Sequence, residues 1–152
     1  MTENEVLNRM ATYCSEAEHC RADVCEKLGR QELGEDATER ILSCLEAEGF
    51  IDEERYTRSF ANDKLRFAKW GKVKIRQALF FKRIPSEMVE KGLEKLNEEE
   101  YLSVLRELIE KKKKSIHGEN EYEKKGRLIR FALGKGFEMK DIEKCIKTED
   151  GW

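Results

Sequence analysis

The sequence predicts an all-α protein built from three tandem three-helix units stacked into an elongated, curved body. Three observations lead there. Helix-start signals recur along the chain, apolar residues return every three or four positions with no period-two stretch competing, and the chain superposes on itself at about fifty residues. A displacement of 51 brings Val24 onto Ile75, Leu28 onto Leu79, Leu33 onto Ile84 and Leu42 onto Leu93. A further 53 adds Leu128, Ala132, Phe137 and Ile146. The units are residues 1–51, 52–97 and 98–152, and stacking is expected because no such unit hides all its apolar surface alone.

In the first unit, Thr2 with Glu5 and Ser15 with Glu18 each place a capping side chain three residues before an acid that can bond back to the cap amide. Leu7, Met10 and Cys14 supply the inward stripe, and Gly29, Gly34 and Gly49 mark breaks. The second unit opens at Asp52. Glu53 and Glu54 sit in its first turn, where the positive end of the helix dipole favours them, and Ile51 and Tyr56 are spaced as a hydrophobic staple. Tyr56, Phe60 and Phe67 read as the core stripe of that helix. After Gly71 a helix is expected from about Lys72 to Arg83, with Ile75, Ala78 and Leu79 inward. Phe80 and Phe81 are adjacent, so one narrow stripe cannot bury both, and one is expected to cover the neighbouring unit. Pro85 suits the first turn of the next helix.

The third unit opens at Asn97 with Glu100 and continues through Leu102, Leu105 and Ile109. Lys111 to Lys114 complement the negative end of that helix, and Glu119, Glu121 and Glu123 suit the start of the following one. Further breaks fall at Gly118, and at Gly134 with Gly136. The terminal "TEDGW" reads as frayed, with no role in the fold for Trp152.

At 152 residues, 41% charged, 39% hydrophobic and with a single proline, the composition favours long surface helices over one dense globule. No window approaches the roughly 18 apolar residues of a membrane span, and "MTENEVLNRM" lacks the basic start and apolar core of a signal segment. A soluble cytoplasmic protein, acting as a monomer, is expected. Cys14, Cys20, Cys25, Cys44 and Cys145 form no CxxC and read as reduced thiols, with a zinc site of Cys14, His19, Cys20 and Cys25 as the alternative. No phosphate-cradling glycine loop, nucleophile elbow or HExxH occurs, so no enzyme, cofactor or metal site is expected.

The charge is unevenly spread. Residues 1–54 hold 5 cations and 15 anions, net −10; residues 55–83 hold 10 cations and only Asp63, net +9; residues 84–152 hold 15 and 16, net −1. An acidic protein groove or a polyanion is the natural counterpart of the middle segment. On a helix from Lys72, the side chains of Lys72, Arg76 and Arg83 fall within about 40° of one another, forming a ridge beside the apolar stripe. The preceding helix adds Arg55, Arg58, Lys64 and Arg66, and the link adds Lys69 beside Trp70. The expected binding surface is Arg55, Arg58, Arg66, Lys69, Trp70, Lys72, Lys74, Arg76, Lys82 and Arg83.

The stretch "AEGFIDEERYTRSFANDKLRFAKWGKVKIRQAL", residues 47–79, resembles the central block of the RecX regulatory proteins: a Gly-aromatic-aliphatic-acid turn, an Arg-Tyr pair, a Phe, and a Gly before a basic helix. "YCSEAEHCRADVCEKL", residues 13–28, is similar to the family's first unit. The resemblance spans about residues 5–95. It implies three tandem three-helix units, no catalytic residues, and a cytosolic bacterial modulator that lies along the groove of the RecA filament. Such a protein suppresses the filament's strand exchange, ATP hydrolysis and coprotease activity, with possible direct contact to single- or double-stranded DNA. Glu16, Glu18, Asp23 and Glu26 stand where many members are more basic, which speaks against DNA contact by the first unit. The alternative is a free-standing DNA-binding module of helix-turn-helix type, with the "KVKIRQ" helix entering a groove.

Overall fold

The computed structural model describes residues 1–147, so the reading of Trp152 lies outside the described residues. These residues are all helix and link, with no strand among them. The first triplet is α1 (Glu3–Glu16), α2 (Arg21–Leu28) and α3 (Glu35–Ala47). The second is α4 (Glu53–Arg66), α5 (Lys72–Phe81) and α6 (Ser86–Glu94), and the third is α7 (Glu98–Ser115), α8 (Glu121–Gly134) and α9 (Met139–Lys147). In each triplet the first two helices are tied together by the third or by each other, and α4 also packs on α7.

Local chemistry sets most helix starts. The side chains of Thr2, Asp52 and Asn97 accept from the amides of Glu5, Arg55 and Glu100, as their spacing predicts. Ser15 does not start a helix. It lies in the last turn of α1, where its hydroxyl donates to the carbonyl of Thr12. The α2 helix starts six residues later, at Arg21, where Asp23 Oδ2 accepts from the Cys20 amide at 3.4 Å. The Ser15 hydroxyl is spent on the last turn of α1, which ends one residue later at Glu16, and the chain then runs extended at Ala17, so Ser15 caps no following helix.

The repeat is written into the packing. Of the twelve superposed positions only Leu33 stays partly exposed; the others are buried in core. The second helix of each triplet is followed by a left-handed residue, Glu32 (φ 55°), Arg83 (φ 60°) or Gly136 (φ 96°), directly before Leu33, Ile84 or Phe137. The Ile84 amide then donates to Leu79 O at 3.3 Å, and that of Phe137 to Ala132 O at 3.2 Å. Such six-residue closures satisfy orphan carbonyls and turn the following apolar side chain inward.

Two cores result. Val6, Met10, Val24, Leu28, Ile41, Leu42, Leu45 and Ile51 fill the first triplet, while the second and third share one core running from Tyr56 through Leu105 to Ile146. The accessible surface of 9594 Å² exceeds by about a fifth the roughly 8,000 Å² of a compact monomer of this mass, as units arranged in series require.

The two joints differ in kind. Between the second and third triplets backbone meets backbone: Gly71 N donates to Lys135 O at 2.8 Å and Val73 N to Gly136 O at 2.9 Å. The Lys72 amide donates to the Tyr101 hydroxyl at 2.9 Å. Between the first and second triplets no backbone pairs with backbone among the described residues; Cys20 and Ala22 pack into the larger core, and the polar ties are charged. Arg55 Nε donates to Glu18 Oε1 at 2.6 Å, Lys82 Nζ to Asp23 Oδ1 at 2.6 Å, and the Arg21 amide to Glu53 Oε1 at 2.8 Å.

Candidate partner-binding surface

The ten residues expected at the surface divide into two groups. Half are held by the protein's own carboxylates. Arg55 is bonded to Glu18, and Lys82 to Asp23. Arg66 forks onto Glu100 at 2.6 and 3.2 Å, and Arg76 onto Glu90 at 2.6 and 3.3 Å. Lys72 stands 3.9 Å from Glu98 and 4.8 Å from the Tyr101 ring. Hydrogen bonds to these acids raise Arg66, Arg76 and Lys82 above their ordinary pKa values.

The ridge of Lys72, Arg76 and Arg83 is therefore not a row of free charges. Its first two members are neutralised by α6 and α7, which approach from outside the acid-free segment. The lack of acids along residues 64–83 is real in the chain and is made good in space.

The other group keeps its charge. Among the described residues no carboxylate pairs with Arg58, Lys69, Lys74 or Arg83. Arg58 lies on α4, and Arg83 lies beyond α5, which ends at Phe81 short of the expected Arg83, in a left-handed conformation (φ 60°). Lys74 and Lys64 both approach the Trp70 ring, and Lys69 is its neighbour in the chain. Lys64 Nζ lies 4.8 Å and Lys74 Nζ 5.1 Å from the centroid of the Trp70 ring. The ring is half-buried against the larger core, its amide donates to Lys64 O at 3.0 Å, and Lys69 precedes it in a left-handed conformation (φ 59°). Trp70 thus both packs at the link and presents a face to cations.

This cluster is not arranged for stability. Two ammoniums on one ring repel each other. Lys72 and Lys74 also occupy the first turn of α5, which holds no acid, at the helix end that favours anions. The amides of residues 71 to 73 are taken by Lys135, Tyr101 and Gly136, so side chains rather than amides carry the unmet positive charge. An approaching carboxylate or phosphate relieves all of it.

Lys64 is the member of the cluster that the ten omitted. Its i,i+4 spacing from Phe60, whose ring centroid lies 5.5 Å from Lys64 Nζ, was the available signal. Two aromatic expectations are corrected. Phe67 is 79% exposed because it caps α4 beyond its last turn, and with Tyr56 and Phe60 it borders an open groove of about 390 Å³ instead of filling core. Phe80 and Phe81 are 74% and 80% exposed, edge to face, on the side of α5 turned away from Ile75 and Leu79; neither covers a neighbouring unit.

The thiols need no ligand to account for them. His19 stacks on Tyr13 with centroids 3.8 Å apart, Cys14 and Cys20 are buried, and no three His, Cys, Asp or Glu side chains among the described residues gather into a metal-holding group. No helix among them is long and apolar enough to cross a membrane.

Comparison with known proteins fits this architecture. Residues 52–93 match the family model described as RecX, second three-helix domain, and residues 98–146 match RecX, third three-helix domain. A regulatory protein RecX from Thermus thermophilus is 33% identical over 121 residues, covering 80% of this chain and 75% of the relative. The chain belongs to the RecX family. Another regulatory protein RecX, from Clostridium acetobutylicum, is 28% identical over 145 residues, 92% of this chain and 66% of the relative's length. The crystal structure of RecX from Lactobacillus salivarius superposes with a TM-score of 0.88 at 21% identity, over 96% of this chain and 95% of that one, which speaks to fold alone. All ten expected surface residues, and Lys64, fall inside the match to the second RecX domain.

Proposed function

We propose that this protein is a regulator that binds the RecA filament on DNA and restrains its ATP hydrolysis, strand exchange and coprotease activity. It acts by contact, without a cofactor and without chemistry of its own, as a monomer in the cytoplasm. Family membership supports the partner, since the relatives are named regulatory proteins. The observation that carries the contact surface is the trio of unneutralised lysines, 64, 69 and 74, beside Trp70. Arg58 and Arg83 extend it, facing acidic protein or DNA phosphates, while the paired cations Arg55, Lys82, Arg66 and Lys72 tie the second unit to its neighbours and Arg76 braces it internally. Residues 1–51, 52–97 and 98–152 act as three linked contacts, each adding effective concentration for the next.

The test is RecA ATP hydrolysis on single-stranded DNA at two salt concentrations. The variant is Lys69→Gly, Lys74→Gln, Arg83→Gly, in which two substitutions relieve left-handed backbone while removing charge. Inhibition weakens by about tenfold or more at low salt, with melting temperature maintained. Full inhibition by this folded variant would remove the lysine cluster from the mechanism. Salt-steep binding to DNA without recombinase would favour the free-standing DNA-binding module instead.

A further inference from the structure

We infer that the outer face of α8 is a docking groove for an acidic, amphipathic helical segment of a partner protein, with Gly126 as its notch and Lys125 and Arg130 as its rims. The groove encloses about 550 Å³ along α8. Tyr122, Gly126, Ile129 and Leu133 fall at spacings of three and four and so within an arc of about 60° on a helix. Leu128 and Ala132 face the core, and of the arc only Ile129, at its near edge, packs against that core as well. Tyr122 is 88% and Leu133 44% exposed, whereas Ile129 is partly buried. An apolar stripe one residue wide and three turns long is the shape that receives the i, i+3/i+4, i+7 anchors of a helix.

Gly126 gives the second, independent observation. Glycine inside a helix is less stable than alanine, so a mid-helix glycine calls for a reason. Packing within this protein supplies none: a Cβ there would meet only the Arg130 guanidinium, at 3.5 and 4.0 Å. By contrast, Gly71 and Gly92 are required by backbone or side-chain atoms under 3 Å away. What the absent Cβ leaves is a dent between Tyr122 and Ile129, useful only to something outside the chain.

Charge selects the occupant. Neither Lys125 nor Arg130 has a carboxylate partner among the described residues. The acid in the wall, Glu123, is already engaged by Arg127 at 3.0 Å and by the Glu119 amide at 3.3 Å. Cationic rims on an apolar stripe fit a segment with apolar knobs flanked by carboxylates. A nucleic-acid strand offers phosphates to the rims but nothing to Ile129 and Leu133, and one tyrosine is no row of stacking rings. The first triplet of a second copy, though acidic, keeps the apolar stripes of its helices in its own core, and its exposed large apolar side chains, Met1 and Phe50, lie outside those helices and form no row of helical anchors. Only the identity of the partner, a filament subunit, rests on the function proposed above.

The experiment uses the full chain and a short fluorescein-labelled model helix with leucines at i, i+4 and i+7 and glutamates elsewhere, read by anisotropy. A leucine/lysine counterpart serves as control. The acidic helix binds and the basic one does not. Lys125→Glu with Arg130→Glu weakens binding about tenfold or more. Gly126→Ala weakens it about threefold while raising the melting temperature by about 2–4 °C, an opposition that loss of fold cannot produce. Equal binding of both peptides, unchanged affinity in Gly126→Ala, or displacement of the peptide by oligo(dT) would each overturn the inference. The same variants are then titrated against RecA on oligo(dT). Lost peptide binding with unchanged filament binding supports the groove and assigns it to another protein, whereas failure of the wild-type chain to bind the acidic helix overturns it whatever the filament does.

Discussion

Replacing Gly71 by alanine should break the joint between the second and third triplets. A Cβ on Gly71 would stand 2.4 Å from the carbonyl carbon and oxygen of Gly136 and from the amide nitrogen of Phe137. Ordinary contact for such a carbon begins about 1 Å farther out, and the atoms in the way are backbone, which cannot swing aside as a side chain does. Opening the joint by that much lengthens Gly71 N to Lys135 O and Val73 N to Gly136 O, now 2.8 and 2.9 Å, beyond hydrogen-bonding reach, and strains the Lys72 bond to Tyr101. Each lost bond costs about 1 kcal/mol net, and overpacking adds about 1–3 kcal/mol, for a total of roughly 3–5 kcal/mol. For a chain of this length that lowers the melting temperature by roughly 10 °C. Gly29→Ala is the control: nothing lies within 4 Å of its Cβ and its φ is −58°, so it should melt at or a few degrees above the wild type. Thermal denaturation followed by helical circular dichroism reads both. If Gly71→Ala melted within about 2 °C of the wild type, close backbone approach would not be what holds these triplets together.

Two further outcomes follow from the first joint and the thiols. Burial pushes the Asp23 carboxyl up, but hydrogen bonds from Lys82 and Cys20 outweigh it and hold the group below its ordinary value, while Lys82 is raised by the same bond. The depressed acid contributes stability that is present above pH about 4 and lost as pH falls through its folded value; the raised lysine contributes stability that is lost above pH about 10.5. Asp23→Asn should therefore flatten both limbs of a stability-against-pH curve, and an unchanged acid limb would show that the pair does not couple the triplets. Burial raises the Cys20 thiol to about 11 and also raises Cys14, whereas Cys25 is exposed. Brief iodoacetamide treatment at pH 8 should label Cys25 well before Cys14 or Cys20, and mass spectrometry showing Cys20 labelled first would contradict the placement of α2.

Much of the fold was legible in the chain because its signals are local. Thr2, Asp52 and Asn97 cap amides three residues away, and the superposed positions Ile75, Leu79, Leu128 and Ala132 face inward because helical period alone aligns them. The same rule failed at Ser15, where a cap-like pattern lay inside a helix already running. It failed again at Phe67, Phe80 and Phe81, whose burial depends on whether another element arrives to cover them.

The sequence by itself determined the helical class, the threefold repeat and the concentration of cations between residues 55 and 83, since each is a property of neighbouring residues. Only the tertiary structure decided which of those cations stay free. Glu98, Glu100 and Asp23 reach Lys72, Arg66 and Lys82 across separations of 26, 34 and 59 positions, leaving Lys64, Lys69 and Lys74, beside Trp70, without an acid among the described residues. The reason is physical: charge is additive along a chain, but neutralisation requires contact within about 4 Å, and contact is set by how helices pack.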